Sequence, residues 1–296
     1  MAGSAKTPFP LGVTFTNFPD FTNPTAQADF TTDWNDFSNL MGTTPSFISG
    51  FEDYTLPMSS WPGHAHWDAS SMMTSSISSQ LSSGQTEMVF AVPLYSTNSS
   101  AGTPDSQFQA IAAGKDDSVY QGILQSYAAD GVKNMVIRLG WEMNLPGTPY
   151  YVGDDAQSQA DWVKAFQHAY TVLHQEAAAL GVSVQIAWNP GLTNYTNANA
   201  TANLYPGDNY VDIVAADVYS DMYPYNDGTS SAPQYHDWNT GGEDTSLAQF
   251  MADPVNRTHY WNYPAANEWS LDGSGGHSLS LAASASGCGG GARRWP

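Results

Sequence analysis

Short β-branched or aromatic runs recur along the chain, separated by longer polar or amphipathic stretches. They are LGVTFTNF at 11–18, PSFISGFED at 45–53, TEMVFAVPLYS at 86–96, NMVIRLGWEMN at 134–144, VSVQIAWNPG at 182–191, VDIVAADVYS at 211–220 and YPAANEWS at 263–270. Several are almost continuously apolar, as strands buried on both faces are. Between them lie helical patterns. Phe30, Trp34, Phe37 and Leu40 fall at 3–4 spacing in the segment 26–42, and Val119, Ile123 and Tyr127 share one face of 116–131. The longest pattern runs from about 155 to Gly181, a glycine stop. Weaker helical patterns occupy 68–84 and 246–254. Strand and helix alternate, which predicts an α/β fold with a parallel sheet. Seven strands over this length suit a (β/α)8 TIM barrel better than an open sheet. No GxGxxG follows the first strand, which argues against a dinucleotide-binding fold.

The carboxyl ends of the strands carry long, aromatic loops, FEDYTLPMSSWPGHAHW at 51–67 and the stretch 220–244. A barrel enzyme builds its site on these loops. The last 24 residues, Gly273 to Pro296, contain 7 Gly, 5 Ser and 4 Ala. Neither a useful helix nor an eighth strand can be drawn there. The expected organisation is therefore a barrel over 1–272 lacking its last βα unit, and a tail over 273–296 that is disordered or frame-shifted.

Composition narrows the function. The 296 residues include 28 acidic and 8 basic side chains, a formal charge of −20. A phosphate-tracking nucleic-acid binder needs a Lys/Arg footprint that this balance excludes, and an anionic membrane surface is equally disfavoured. No apolar run of about 18 residues predicts a membrane span. The start, MAGSAKTPFPLG, lacks the apolar stretch of a signal peptide. The single cysteine, Cys288, forbids an intrachain disulfide and a cysteine zinc site. Aromatic residues make up 13% of the chain, a composition suited to a neutral carbohydrate partner, although most of these rings could equally be core.

Glutamates at strand ends are the sharpest candidates for chemistry. The chain has six: Glu52, Glu87, Glu142, Glu176, Glu243 and Glu268. Only Glu52, Glu142 and Glu268 fall near carboxyl ends of strands. Glu142 lies in Arg138-Leu-Gly-Trp141-Glu142-Met-Asn144, where two-residue alternation puts Arg138, Gly140, Glu142 and Asn144 on one face. An ion pair with Arg138 is the structural alternative for it. Glu268 lies in Asn267-Glu268-Trp269 at the end of the seventh strand, and its alternative is a surface loop. Two carboxylates on opposite walls of a barrel can run glycoside hydrolysis with retention, one as acid and one as nucleophile, at about 5–5.5 Å. His64 and His66 form an HxH pair without an evident third ligand, so packing or substrate contact is the expectation for them and no metal is called for. No GxSxG nucleophile elbow is present.

The run RLGWEMN, with a second glutamate on strand seven, resembles the acid/base motif of glycoside hydrolase family 26, in the retaining barrel clan of glycosidases. AWNPG at 187–191 is similar to the family's strand-five Trp-x-Pro motif, and VDIVAADVY at 211–219 to its strand-six segment ending in Tyr. The resemblance spans about 11–272. It implies Glu142 as acid/base, Glu268 as nucleophile and Tyr219 as hydrogen-bond partner of the nucleophile. Trp188 would line the sugar cleft with Trp141 and Trp269, and Arg138 and Asn144 would serve positioning and substrate contact. Two departures stand out: Trp141 precedes the glutamate where many members have His, and LPGTPYY follows where mannanases often have Trp. The implied activity is retaining hydrolysis of a β-linked polysaccharide, β-1,4-mannan first and mixed-linkage β-glucan second. The protein is expected to be a secreted monomer that needs no cofactor. A carbohydrate-binding barrel without turnover, and an inactive truncated product, are the alternatives.

Overall fold

The computed structural model describes residues 12–14, most of 31–39, 44–65, 77–191 and 198–215, with two-residue strands at 224–225, 234–235 and 282–283. Six strands form its frame: β1 (Gly12–Thr14), β2 (Phe47–Phe51), β3 (Glu87–Val92), β4 (Asn134–Leu139), β5 (Ser183–Trp188) and β6 (Ile213–Ala215). Each is parallel to the one before it and lies beside it. Right-handed crossovers between strands that never reverse their order place every connecting helix on the same face. A doubly wound sheet would reverse order part-way. The winding is therefore that of a (β/α) barrel, as the alternation of runs predicts.

The helical residues 31–32, 34–36 and 38–39 (α1) and 61–65 (α2) precede α3 (Ser78–Ser83), α4 (Pro104–Ala112), α5 (Asp117–Ala129), α6 (Ala156–Leu180) and α7 (Ala198–Asn203). The longest, α6, shows why the local sequence folds this way. Asp155 caps its start, accepting from the backbone N–H groups of Gln157 and Ser158, and Gly181 ends it at φ +68°. Trp162, Ala165, Phe166, Ala169, Val172, Leu173 and Ala177 are buried at helical spacing. Three helices, α2, α4 and α7, lie where the sequence pattern predicts none. Helix α4 is marked instead by its start, where Thr103 accepts from Ser106 N–H and Pro104 occupies the first turn. Helix α7, ANATAN, has no apolar stripe at all.

Alternation along the strands separates two layers. Met88, Phe90 and Val92 of β3, Met135, Ile137 and Leu139 of β4, and Val184, Ile186 and Trp188 of β5 join the helices in the large core. The opposite face carries a small cluster of Val136, Ala187 and Ile213 with Val89 and Ala215 against it. That face is the barrel interior. Towards its carboxyl end the pairing register aligns Phe51, Ala91, Arg138 and Ala187 across four strands.

Beyond β6 the described strands are short. Pro224–Tyr225 (β7) pairs antiparallel with Gln234–Tyr235 (β8), and Ala282–Ala283 (β9) pairs antiparallel with β6. The last pairing falls in the Gly/Ser/Ala-rich tail, where the sequence offered no strand. The expected strand at 263–270, the helix at 246–254 and the boundary at 272 lie outside the described residues.

Candidate active site

The site is built on Arg138. Two alanines, Ala91 and Ala187, flank it in register on the barrel interior, and their small side chains leave room for the guanidinium. Its Nε donates to Asn189 Oδ1 at 2.6 Å, and its guanidinium carbon lies 5.5 Å from the centre of the Phe51 ring. This cation–π contact reaches across Ala91, the residue between them in the register. Arg138 is 9% exposed, so its orientation is fixed by these partners.

The strand ends at Leu139, earlier than simple alternation suggests. Gly140 turns the chain at φ +56°, and a Cβ there would meet Leu94 at 2.9 Å and Trp162 at 3.1 Å. Two residues on, Glu142 has φ +50°, and it is the one non-glycine with positive φ among the described residues. The left-handed region costs a side-chain-bearing residue roughly 1–2 kcal/mol. Such strain persists where the surroundings over-determine the backbone, commonly at functional sites. Here Glu142 N–H donates to the carbonyl of Asn189 at 2.8 Å, and Gly140 N–H to Val92 at 2.8 Å. Asn189 thus links Arg138 to Glu142, using its side chain for one and its backbone for the other.

Asn144 closes the same turn. Its Oδ1 accepts from Gly191 N–H at 2.9 Å, while its Nδ2 donates to the Gly191 carbonyl at 3.0 Å and to Thr201 Oγ1 at 3.1 Å. The side chain is 5% exposed. These three bonds make Asn144 a clasp between the loops after β4 and β5.

Aromatic rings surround Glu142. Trp141 lies 5.9 Å from Phe51 and 4.8 Å from Tyr150, and Tyr150 meets Tyr54 edge-on at 5.5 Å. The Tyr150 hydroxyl faces the Glu142 carboxylate. Burial first, and then the negative charge and a hydrogen bond of Glu142, push its pKa up to about 12. Tyr150 sits in LPGTPYY, a stretch noted in the sequence only as a departure; no periodicity marks it as part of a site.

Trp188 is placed differently from expectation. It shares strand parity with Val184 and Ile186, so its ring enters the layer between sheet and helices, where it meets Tyr205 at 5.1 Å. Its indole N–H donates to the Leu204 carbonyl. The ring thus packs in the core, where alternation along β5 puts it.

Glu52 likewise has the helix-facing parity of Ile48. It is 1% exposed, and its Oε1 lies 2.8 Å from His64 Nδ1 on α2. Burial raises its pKa above the usual carboxylate range, against the lowering effect of His64. It therefore faces the helices, not the barrel interior. His66, Tyr219, Glu268 and Trp269 lie outside the described residues. No group of three His, Cys, Asp or Glu that could hold a metal ion occurs among the described residues, nor is any helix there long and apolar enough to cross a membrane.

Comparison with known proteins bears on the stretch that holds this turn. Residues 118–235 match the sequence model of glycosyl hydrolase family 26. The resemblance read from RLGWEMN is shown over that stretch. The matched stretch begins in α5 and takes in Arg138, Glu142, Asn189 and Tyr219; Glu268 lies beyond it. No curated protein matches the chain. Among solved structures, the YdhT protein from Bacillus subtilis is similar at 19% identity and a TM-score of 0.47, over 74% of this chain and 66% of its own. Bacillus subtilis mannanase BCman gives 19% and 0.46 over the same shares, and a Cellulomonas fimi endo-beta-1,4-mannanase double mutant 18% and 0.42 over 72% and 49%. The chain thus spans 66% or less of the length of these three solved proteins.

Proposed function

We propose that this chain is a family 26 glycoside hydrolase that cleaves a β-linked polysaccharide with retention, β-1,4-mannan being the first substrate to try. The observation that carries the reading is Glu142. It is a carboxylate on a strained turn at the carboxyl end of β4, fixed through Asn189 to Arg138, inside the segment that matches the family. Carboxyl ends of barrel strands are where such enzymes place their chemistry.

The mechanism follows from two carboxyl groups. Glu142 in its acid form gives its proton to the glycosidic oxygen as the bond to the anomeric carbon breaks. Glu268 as carboxylate attacks that carbon, forming a covalent glycosyl-enzyme. Water then replaces the enzyme oxygen, with Glu142 taking the water's proton. The two groups need opposite protonation states at the outset, and their environments must therefore differ. Phe51, exposed beside Trp141, and the half-buried Tyr54 offer apolar faces for sugar rings, and neither the attack nor the protonation needs a metal or an organic cofactor. A polysaccharide substrate is consistent with action outside the cell.

The test is reducing-sugar release from mannan, β-glucan and xylan by the purified chain, with Glu268→Ala and Glu142→Gln alongside. Release by the parent should vanish in Glu268→Ala. Glu142→Gln should lose far more on polysaccharide than on aryl glycosides with good leaving groups, which need little protonation. Equal losses on both substrates would remove Glu142 from the acid role, and undiminished release by Glu268→Ala would refute the nucleophile.

A further inference from the structure

The loop after Glu142 is held down more firmly than a simple connection requires. Val152 N–H donates to the Met143 carbonyl at 3.0 Å, and Tyr151 N–H to Thr148 at 3.3 Å. From β3's carboxyl end, the Tyr95 hydroxyl donates to the Pro149 carbonyl. The next ring, Tyr150, rests between Trp141 at 4.8 Å and Tyr54 at 5.5 Å. Three segments, those after β2, β3 and β4, thus converge to fix one phenol, whose hydroxyl faces the Glu142 carboxylate.

We infer that Tyr150 is a positioning residue that donates its hydroxyl hydrogen bond to one oxygen of Glu142 and so leaves the other oxygen to carry the transferable proton towards the substrate. The inference rests on the proposed acid/base role of Glu142. A phenol is suited to the task because it stays protonated across the range in which carboxyl groups titrate, and its raised pKa reinforces this. It remains a donor whichever form Glu142 takes. The Trp141 indole also hydrogen-bonds Tyr150 and orients it.

The titratable and charged groups around this pair among the described residues include Tyr54 after β2, Tyr95 after β3, and Arg138 on β4, which reaches Glu142 through Asn189. Donation to a carboxylate favours the charged form. Loss of the Tyr150 hydroxyl should therefore raise the Glu142 pKa.

The experiment uses the full chain and Tyr150→Phe, with Tyr54→Phe as control. Glutamate carboxyl carbons, labelled with 13C, are followed by NMR through a pH titration, and the Glu142 signal is identified by its absence in Glu142→Gln. In Tyr150→Phe the Glu142 midpoint should rise by about one pH unit, while Tyr54→Phe leaves it in place and both variants keep the parent melting temperature. Where turnover is measured, the alkaline limb of the kcat profile should move up with the midpoint. kcat on polysaccharide should fall about tenfold, and less on activated aryl glycosides. An unmoved Glu142 midpoint in a folded Tyr150→Phe overturns the inference, whatever the activity. A raised midpoint in a chain that hydrolyses nothing would uphold the tyrosine's placement and defeat the proposed activity instead.

Discussion

At the scale of single residues, strand parity decides which carboxylates are available for chemistry. Glu52 and Arg138 both sit at carboxyl ends of strands, yet one faces the helices and the other the barrel interior. Glu52 therefore serves the fold. Its folded pKa is raised, chiefly by burial. A carboxyl with a raised folded pKa binds its proton more tightly in the native than in the unfolded state, so its contribution to stability is fully present below the unfolded value of 4.5 and is lost as pH climbs through the folded value. Replacing Glu52 by Gln removes that titration while keeping shape. The parent should thus lose melting temperature relative to Glu52→Gln as the pH rises above 4.5, read by parallel thermal scans. Parallel curves for the two proteins across that range would mean that Glu52 titrates alike in both states.

At the scale of elements, the loops after β4 and β5 form one unit. Asn144 grips Gly191 by both of its backbone groups, and Glu142 hangs from Asn189, two residues before. Gly191 must be glycine for reasons of space: a Cβ there would lie 2.4 Å from Leu145 Cδ1, and Leu145 is itself buried. Gly191→Ala should cost about 1–3 kcal/mol through overpacking and, by pushing the 144–145 turn, should lower kcat on any substrate of the parent. Urea unfolding and initial rates on one preparation check both. A variant as stable and as active as the parent would show that the turn yields freely.

The same scale shows what the sequence made legible. Strands β2 to β5 and helices α5 and α6 announce themselves, because each must bury an apolar face and periodicity records that demand. Arg138 and Glu142 could be picked out because a charged residue is conspicuous in an apolar run. Tyr150 could not, since its role depends on a loop folding back on Trp141, and nothing in LPGTPYY encodes the distance. For Trp188 the motif resemblance implies the cleft, whereas alternation with Ile186 places its ring in the core. Helix α4 was legible in its Thr-Pro start and in Phe108 and Ile111, buried one turn apart, but its stripe is short.

At the scale of the whole molecule, the formal charge of −20 is the dominant electrostatic fact. Carboxylates outnumber cations 28 to 8, so most have no cation to neutralise them. Ion pairs among the described residues include Asp161 with Lys164 and the histidine contacts His64–Glu52, His168–Asp117 and His174–Asp212. Self-repulsion of like charges destabilises the compact state, in which they are closest. It acts over distances that salt screens, about 10 Å at 0.1 M ionic strength. Salt also weakens attractive pairs, but exposed pairs are worth only about 0–1 kcal/mol each, and Lys164 is largely exposed. Repulsion summed over a surplus of 20 charges outweighs those few attractions. Raising NaCl from about 0.02 M to about 0.5 M should therefore raise the melting temperature at neutral pH. At a pH near the sequence pI of about 4.2 the same addition should have little effect or lower it. A melting temperature that falls with salt at neutral pH would mean that specific pairs, and not the net charge, set the electrostatic contribution to stability.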